Sequence, residues 1–264
     1  MRVRGEEVKK LLKTLTDGIA IRGSEHVQQD VWGRENSTLW VIDGATRAST
    51  EENMTVAAWV TKLSAKIAQL ARDSPSLSLQ ELLKQAIVEA RSTTTGWHPS
   101  ATISLARLHP TAIELLVLGD AGALVRTELG DHAGIQDNRL QNVGAQIRAK
   151  RQLARQQGNI TEAKKLTQEL LSEEDRWRNK ENGFWVVGAD PKAAEEAVHH
   201  RFENARGIVL MSDGVYGEIG KFLGNRETAW EALTSNLEEC LLQLRHQRLE
   251  ESGAVDDMSA AVGG

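Results

Sequence analysis

Four aspartates in this chain sit where a short apolar run ends, each beside glycine or a second acid. They are Asp43 in LWVIDG, Asp120 in LLVLGD, Asp213 in IVLMSDG and Asp256 in AVDDMSAAV. Short β-prone runs of this kind read as buried strands. An acid at the end of such a strand is placed at a sheet edge, where several can converge. Carboxylates that converge in one pocket cannot all stay charged unless something positive sits between them. A hard divalent cation with oxygen ligands, Mg²⁺ or Mn²⁺, supplies that charge. The pattern therefore points to a carboxylate-held metal centre.

The order of elements follows from periodicity. An amphipathic helix is expected before Asp17, then a three-strand meander from Gly18 to Asp43. TEENMTVAAWVTKLSAKIAQLARD starts with Thr and acids, as a helix should, and SLQELLKQAIVEARS reads as a second helix. SATISLARL and AIELLVLGD form a hairpin around His109 and Pro110, and ALVRTELG a further strand. Residues 137–182 turn charged and helical, with a break at Gly158 and Asn159, and read as a helical pair inserted between strands. Its charges are of mixed sign, as on a solvated face; a lid over a site is the functional alternative. GFWVVGAD and RGIVLMSDG read as strands around a short helix in PKAAEEAVHH, which ends at His199 and His200. ETAWEALTSNLEECLLQLRHQRLEE reads as one amphipathic helix and MSAAV as the closing strand. Strands and helices come in runs rather than strict βα alternation, which favours an α+β layered sandwich of largely antiparallel sheets.

Bulk properties exclude several function classes. A length of 264 residues suits one core, and residues 1–264 read as a single domain. A net charge of −5 argues against a nucleic-acid surface or a polybasic membrane anchor. The lone Cys240 can form no internal disulfide, and Cys-based metal sites are excluded. No stretch approaches the roughly 20 apolar residues of a membrane span, and the first residues lack a secretory pattern. The expected location is the cytoplasm. Trp40, Trp59 and Trp185 read as packing residues, and Trp177 as a partner contact to test.

Six blocks recur in a fixed order: QQDVWG through Asp30, VIDGAT at Asp43 and Gly44, SAT at Ser100–Thr102, LGDAG at Gly119 and Asp120, MSDG at Ser212–Gly214, and DDMS at Asp256–Ser259. In this order they resemble the metal-dependent serine/threonine protein phosphatases of the type 2C class. The likeness runs from about Ile21 to Val262. It is nearest to a bacterial branch with a Gly-x-x-His element, here Gly23 and His26, and a charged helical insertion followed by GFWVVGADPKAAEEAV. The resemblance implies a four-layer αββα sandwich of two mostly antiparallel sheets flanked by helices. It also implies two Mn²⁺ or Mg²⁺ ions, leaves Asp120 and Asp213 able to hold a weaker third, and implies a phosphorylated protein as substrate.

The implied reaction hydrolyses phosphoserine or phosphothreonine by attack of a hydroxide bridging the two ions. Asp43 would be the bridging carboxylate, with the Gly44 carbonyl contributing through a water. Asp213 and Asp256 would complete one ion's surroundings, and Asp30 would support the other. The chain departs from the family pattern at four positions. Glu25 stands at the phosphate-clamping Arg, leaving Arg22, Arg34 and Arg47 as candidates. Ala45 stands where a leaving-group His is common, which leaves a water or His26. Gln29 replaces Glu, and Asp257 replaces Asn, an extra acid for the metal shell. These departures keep two alternatives in view: a catalytically weak, phosphatase-like regulatory binding protein, and a small-molecule phosphohydrolase.

Overall fold

The computed structural model describes residues 17–24, 27–45, 50–91 and 98–264. The helix expected before Asp17 lies outside them, as do Glu25, His26 and Arg47. Two five-stranded antiparallel sheets face one another. One runs, in spatial order, β2 (Val31–Glu35), β3 (Thr38–Gly44), β4 (Ala101–Leu108), β5 (Ala112–Leu118), β8 (Val198–Glu203). The other runs β1 (Asp17–Ile21), β10 (Met258–Gly263), β9 (Ala205–Met211), β6 (Gly122–Thr127), β7 (His132–Gln136). Helices α1 (Thr50–Asp73) and α2 (Leu79–Ala90) cover the first sheet. Helices α3 (Ala145–Gln156) and α4 (Ile160–Trp177) form the insertion, while α5 (Arg226–Ser235) and α6 (Leu237–Ser252) cover the second sheet. The four-layer sandwich is the one expected.

Side-chain alternation explains the layering. Along β3, Leu39 and Val41 enter the core between the sheets, whereas Trp40 and Ile42 pack under α1 and α2. Along β9, Ile208 and Leu210 face the other sheet, whereas Val209 and Met211 face α5 and α6. The space between the sheets is thus filled at one end by aliphatic side chains such as Leu115, Val117, Val125 and Ile208. Continuing the same alternation toward the other end brings in Asp43, Thr102, Ser104, Ser212 and Ser259. Two of these, Asp43 and Thr102, are direct cross-strand partners. The layer that is oily at one end becomes polar at the other.

Several expected elements differ in the fold. β1 leaves the meander and pairs with β10, because Ile19 and Ile21 pack beneath the second sheet's helices. GFWVVGAD forms no strand; Phe184, Trp185, Val186 and Val187 are buried in an irregular segment touching β4 through one bridge, Val187 to Ala101. PKAA makes a single 3₁₀ turn, and VHHRFE is β8, so His199 and His200 lie on a strand rather than at a helix end. The helix expected from 227 to 251 is two. Asn236 divides them, its side chain accepting from the Glu239 N–H as an N-cap. β7 was not expected: HAGIQ is half-buried throughout and has no alternation to betray it.

One contact fixes the segment that leads into β2. Asp257 Oδ1 accepts from the Gly23 N–H and Oδ2 from the Gln29 N–H, each at 2.6 Å. The Ser24 N–H also donates to the Val255 carbonyl at 2.9 Å. Residues on both sides of positions 25 and 26 are therefore tied to the start of β10, and Asp30 follows directly. Asparagine at 257 would keep one acceptor and present an amide N–H to the other donor. Asp257→Asn is expected to cost about 3 kcal/mol of stability, read as a lower urea midpoint; an unchanged midpoint would refute the clamp.

Candidate metal centre

The polar end of the inter-sheet layer holds the site. Asp43 ends β3, Asp120 follows β5 and Asp213 follows β9; Asp256 lies just before β10. All four line one pocket of about 190 Å³, together with Gly44, Ala45 and Thr102. Asp30 lies beneath them, 1% exposed, on the segment held by Asp257. All six residues expected to form the site, Gly44 included, are thus brought to one place. Gly44 is required by packing, since a Cβ there would come 2.6 Å from Val56 Cγ1 and 3.0 Å from Gln29 Cβ.

The electrostatics are those of crowded like charges. Burial pushes the Asp43 carboxyl well above the usual carboxylate range, and the charges of Asp30, Asp213, Asp256 and Asp120 push further the same way. Asp213 rises for the same reasons, burial first, then Asp120 and Asp256, with the nearby Asp43 side chain partly opposing. Both keep some surface open to the pocket, yet enough protein surrounds them for desolvation to lead. Asp30 rises to about 7, chiefly by burial and further by Asp257, while Ser259 and Ser212 oppose. Those hydroxyls lie close but off-line. Neither Asp30 oxygen receives a well-formed hydrogen bond among the described residues, and Thr102 Oγ1, Ser104 Oγ and Ser259 Oγ are likewise buried without one.

This donor set fits a hard divalent cation in kind: every group is an oxygen, most are anionic, and several buried oxygens lack a partner. Among the described residues, no three His, Cys, Asp or Glu side chains converge as the ligands of one ion. The carboxyl groups crowd one another through Asp43 instead.

The roof of the pocket comes from the insertion. Leu140, Arg148 of α3, Leu171 and Glu174 of α4, and Arg178 just after it all line the pocket, with Phe184 and Val186 alongside. Arg148 Nη2 bonds Glu174 Oε1 at 2.5 Å, joining the two helices across the opening. Arg178 Nη1 donates to Ser100 Oγ at 3.1 Å, and its guanidinium lies 5.5 Å from the Phe184 ring centre. The mixed-charge hairpin thus lines the pocket with one side and is not a remote solvated face.

Other expectations need correction. The guanidinium groups at the pocket are Arg148 and Arg178, not Arg22 or Arg34. Arg34 Nε donates to the Asn36 carbonyl on the β2–β3 turn, and neither it nor Arg22 lines the pocket. The sequence signal for Arg148 and Arg178 was present only as basic residues in a charged helix, with nothing to mark which face met the site. Asp257 adds no carboxylate to the pocket lining, being committed to two backbone N–H groups. Trp177, which stays a partner contact to test, is half-buried, its Nε1 donating to Glu173 Oε1 at 2.8 Å, and it lines a separate hollow with Gly144 and Asn182. A larger hollow of about 690 Å³ by β7 and α5 mixes Arg126 and Arg226 with Asp131 and Glu227. It shows no such crowding of like charge, so the smaller pocket is the candidate site.

Solved structures share this architecture across nearly the whole chain. A variant of a bacterial serine phosphatase is 11% identical over 94% of this chain and 96% of its own, with a TM-score of 0.58. The catalytic domain of the serine/threonine phosphatase PstP, solved with two manganese ions, is 16% identical over 94% and 96%, with a TM-score of 0.56. The PPM Ser-Thr phosphatase MsPP from Mycobacterium smegmatis, solved with cacodylate, is 16% identical over 95% and 97%, with a TM-score of 0.52. The chain has the PPM phosphatase fold. No protein-family model and no curated protein matches it by sequence. No helix among the described residues is long and apolar enough to cross a membrane.

The raised carboxyls carry a pH signature. Asp30 titrates at about 7 in the fold against 3.8 as a free side chain. A carboxyl raised by folding stabilises the protein fully below its unfolded value, and that stability is lost as pH rises through the folded value. Asp43 and Asp213 act in the same direction. In chelator, the thermal midpoint should therefore fall from about pH 5 to about pH 8, and Asp30→Asn should flatten part of that fall. A midpoint that rises over this range would contradict the crowding.

Proposed function

We propose that this chain is a metal-dependent phosphatase that removes phosphate from phosphoserine and phosphothreonine in proteins. The observation that carries the reading is the meeting of Asp43, Asp120, Asp213 and Asp256 in one pocket roofed by Arg148 and Arg178. Two ions would be held by Asp43, Asp213 and Asp256 with support from Asp30 and, through a water, the Gly44 carbonyl, and Asp120 with Asp213 would be open to a third. The PPM fold supports this choice, and PstP, which shares it, was solved with two manganese ions. Bound there, Mn²⁺ or Mg²⁺ would balance the carboxylate charge, polarise the phosphate and make water a competent nucleophile at neutral pH.

The chain's own groups do the rest. Arg148 and Arg178 hold the phosphate oxygens and fix the phosphorus over the carboxylates; arginine suits this because its planar fork matches phosphate oxygens. Glu174 and Ser100 keep the two guanidinium groups aimed. Leu140, Leu171, Phe184 and Val186 make one wall apolar, which limits bulk water and strengthens every charge interaction inside. Ala45 offers no proton at the position where a histidine would protonate the leaving group, so leaving-group protonation falls to water or to His26.

Phosphate release from a phosphothreonine peptide in Mn²⁺ tests the reading. Asp43→Asn and Asp213→Asn should each lower kcat/KM by more than about a hundredfold. Arg178→Ala should raise KM by roughly tenfold, as expected when a charged hydrogen bond to substrate is lost. Release confined to small aryl esters would favour a small-molecule phosphohydrolase. Absence of any turnover with Mn²⁺ bound would favour a regulatory binding protein.

A further inference from the structure

Helix α3 carries Arg148, Arg151 and Arg155 at spacings of three and four, which sets them on one stripe. With a helical rise of 1.5 Å per residue, Arg151 lies about 4.5 Å and Arg155 about 10.5 Å along the axis from Arg148. Arg148 is in the pocket roof and is neutralised by Glu174. The other two are not neutralised. Among the described residues, no carboxylate lies within ion-pair distance of Arg151 or Arg155. Arg151 is also half-buried, one turn from Ile147 and beside Ala154, the residues that pack α3 onto α4. Burial pushes its guanidinium below the ordinary arginine value, and Arg155 and Arg148 push it further, with only Glu174 opposing.

A half-buried cation facing two others without a counter-ion is unfavourable in the free protein. The chain has 37 acidic residues to 32 Lys and Arg, so counter-ions were plentiful, yet none is placed here. The stripe starts at the pocket and runs away from it, so an anionic chain entering the pocket could follow it.

We propose that the arginine stripe of α3 is a docking track for acidic side chains that flank the phosphorylated residue of a protein substrate. This rests on the phosphatase reading and names the substrate class for that site. An extended peptide advances about 3.3 Å per residue, so acids about one to three positions from the phosphoresidue come level with Arg151 and Arg155.

The test uses the full chain with Mn²⁺ and two fluorescent phosphonate peptides that cannot be hydrolysed, one flanked by glutamates and one by lysines. Anisotropy should show the acidic peptide binding roughly tenfold more tightly to the wild type. Arg151→Glu with Arg155→Glu should reverse that preference, and Arg151→Lys with Arg155→Lys should keep its sign. Equal affinities in the wild type, or a preference that survives the charge reversal, would overturn the track. Should the reversed variant fail to fold, the wild-type comparison and the lysine variant decide. Phosphate release from a phosphothreonine peptide by the wild type is measured in parallel. Its absence alongside an intact acidic preference would sink the phosphatase reading and leave the track standing.

Discussion

Five carboxylates share the polar end of one inter-sheet layer, and their mutual repulsion is the constraint that the rest of the molecule answers. Each is delivered by a different segment: Asp43, Asp120 and Asp213 by strand ends, Asp256 by the approach to β10, and Asp30 by the segment before β2. Burial first, and the neighbouring acids after it, raise the energy of the ionised forms, as the upward displacement of Asp30, Asp43, Asp120 and Asp213 records. Repulsion of this kind must be outweighed by burial elsewhere. The fully buried aliphatic layers between the sheets and beneath each helix pair supply that, at about 1.5–3 kcal/mol for each large side chain.

The pocket divides along the same line. The sandwich supplies its carboxylates and the insertion supplies its guanidinium groups. Arg148 and Arg178 reach over the pocket from helices that belong to neither sheet, so the positive half of the site can vary while the acidic half stays fixed. Loops and insertions on a rigid scaffold commonly carry specificity for this reason. The Arg148–Glu174 pair holds the two insertion helices together at the pocket mouth. It also leaves Arg151 and Arg155 as the uncompensated part of the insertion.

Much of this was legible in the chain. The acids at the ends of apolar runs marked the strand termini, and four of them do meet. The long helices over 50–73 and 79–90 and the break at Gly158 and Asn159 followed from periodicity and from turn residues. Illegible features share a physical cause: they depend on partners distant in sequence. β1 could not be assigned to β10 because a period-two pattern reveals a strand but not its neighbour. VHHRFE could not be told from a helix end until its pairing with β5 was seen. Asp257 looked like one more ligand, and only the Gly23 and Gln29 N–H groups, more than two hundred residues away, explain its role. Arg148 and Arg178 were hidden among other basic residues because facing direction is a tertiary property.

The most direct test of the account is anomalous scattering from crystals grown with Mn²⁺ at a pH above 7. The account requires at least two manganese peaks in the carboxylate pocket, both within ligand or water-bridged reach of Asp43, with Asp213 and Asp256 beside one of them. Manganese bound elsewhere, or a pocket that stays free of it at saturating concentration, would contradict the claim that these acids are gathered to hold metal.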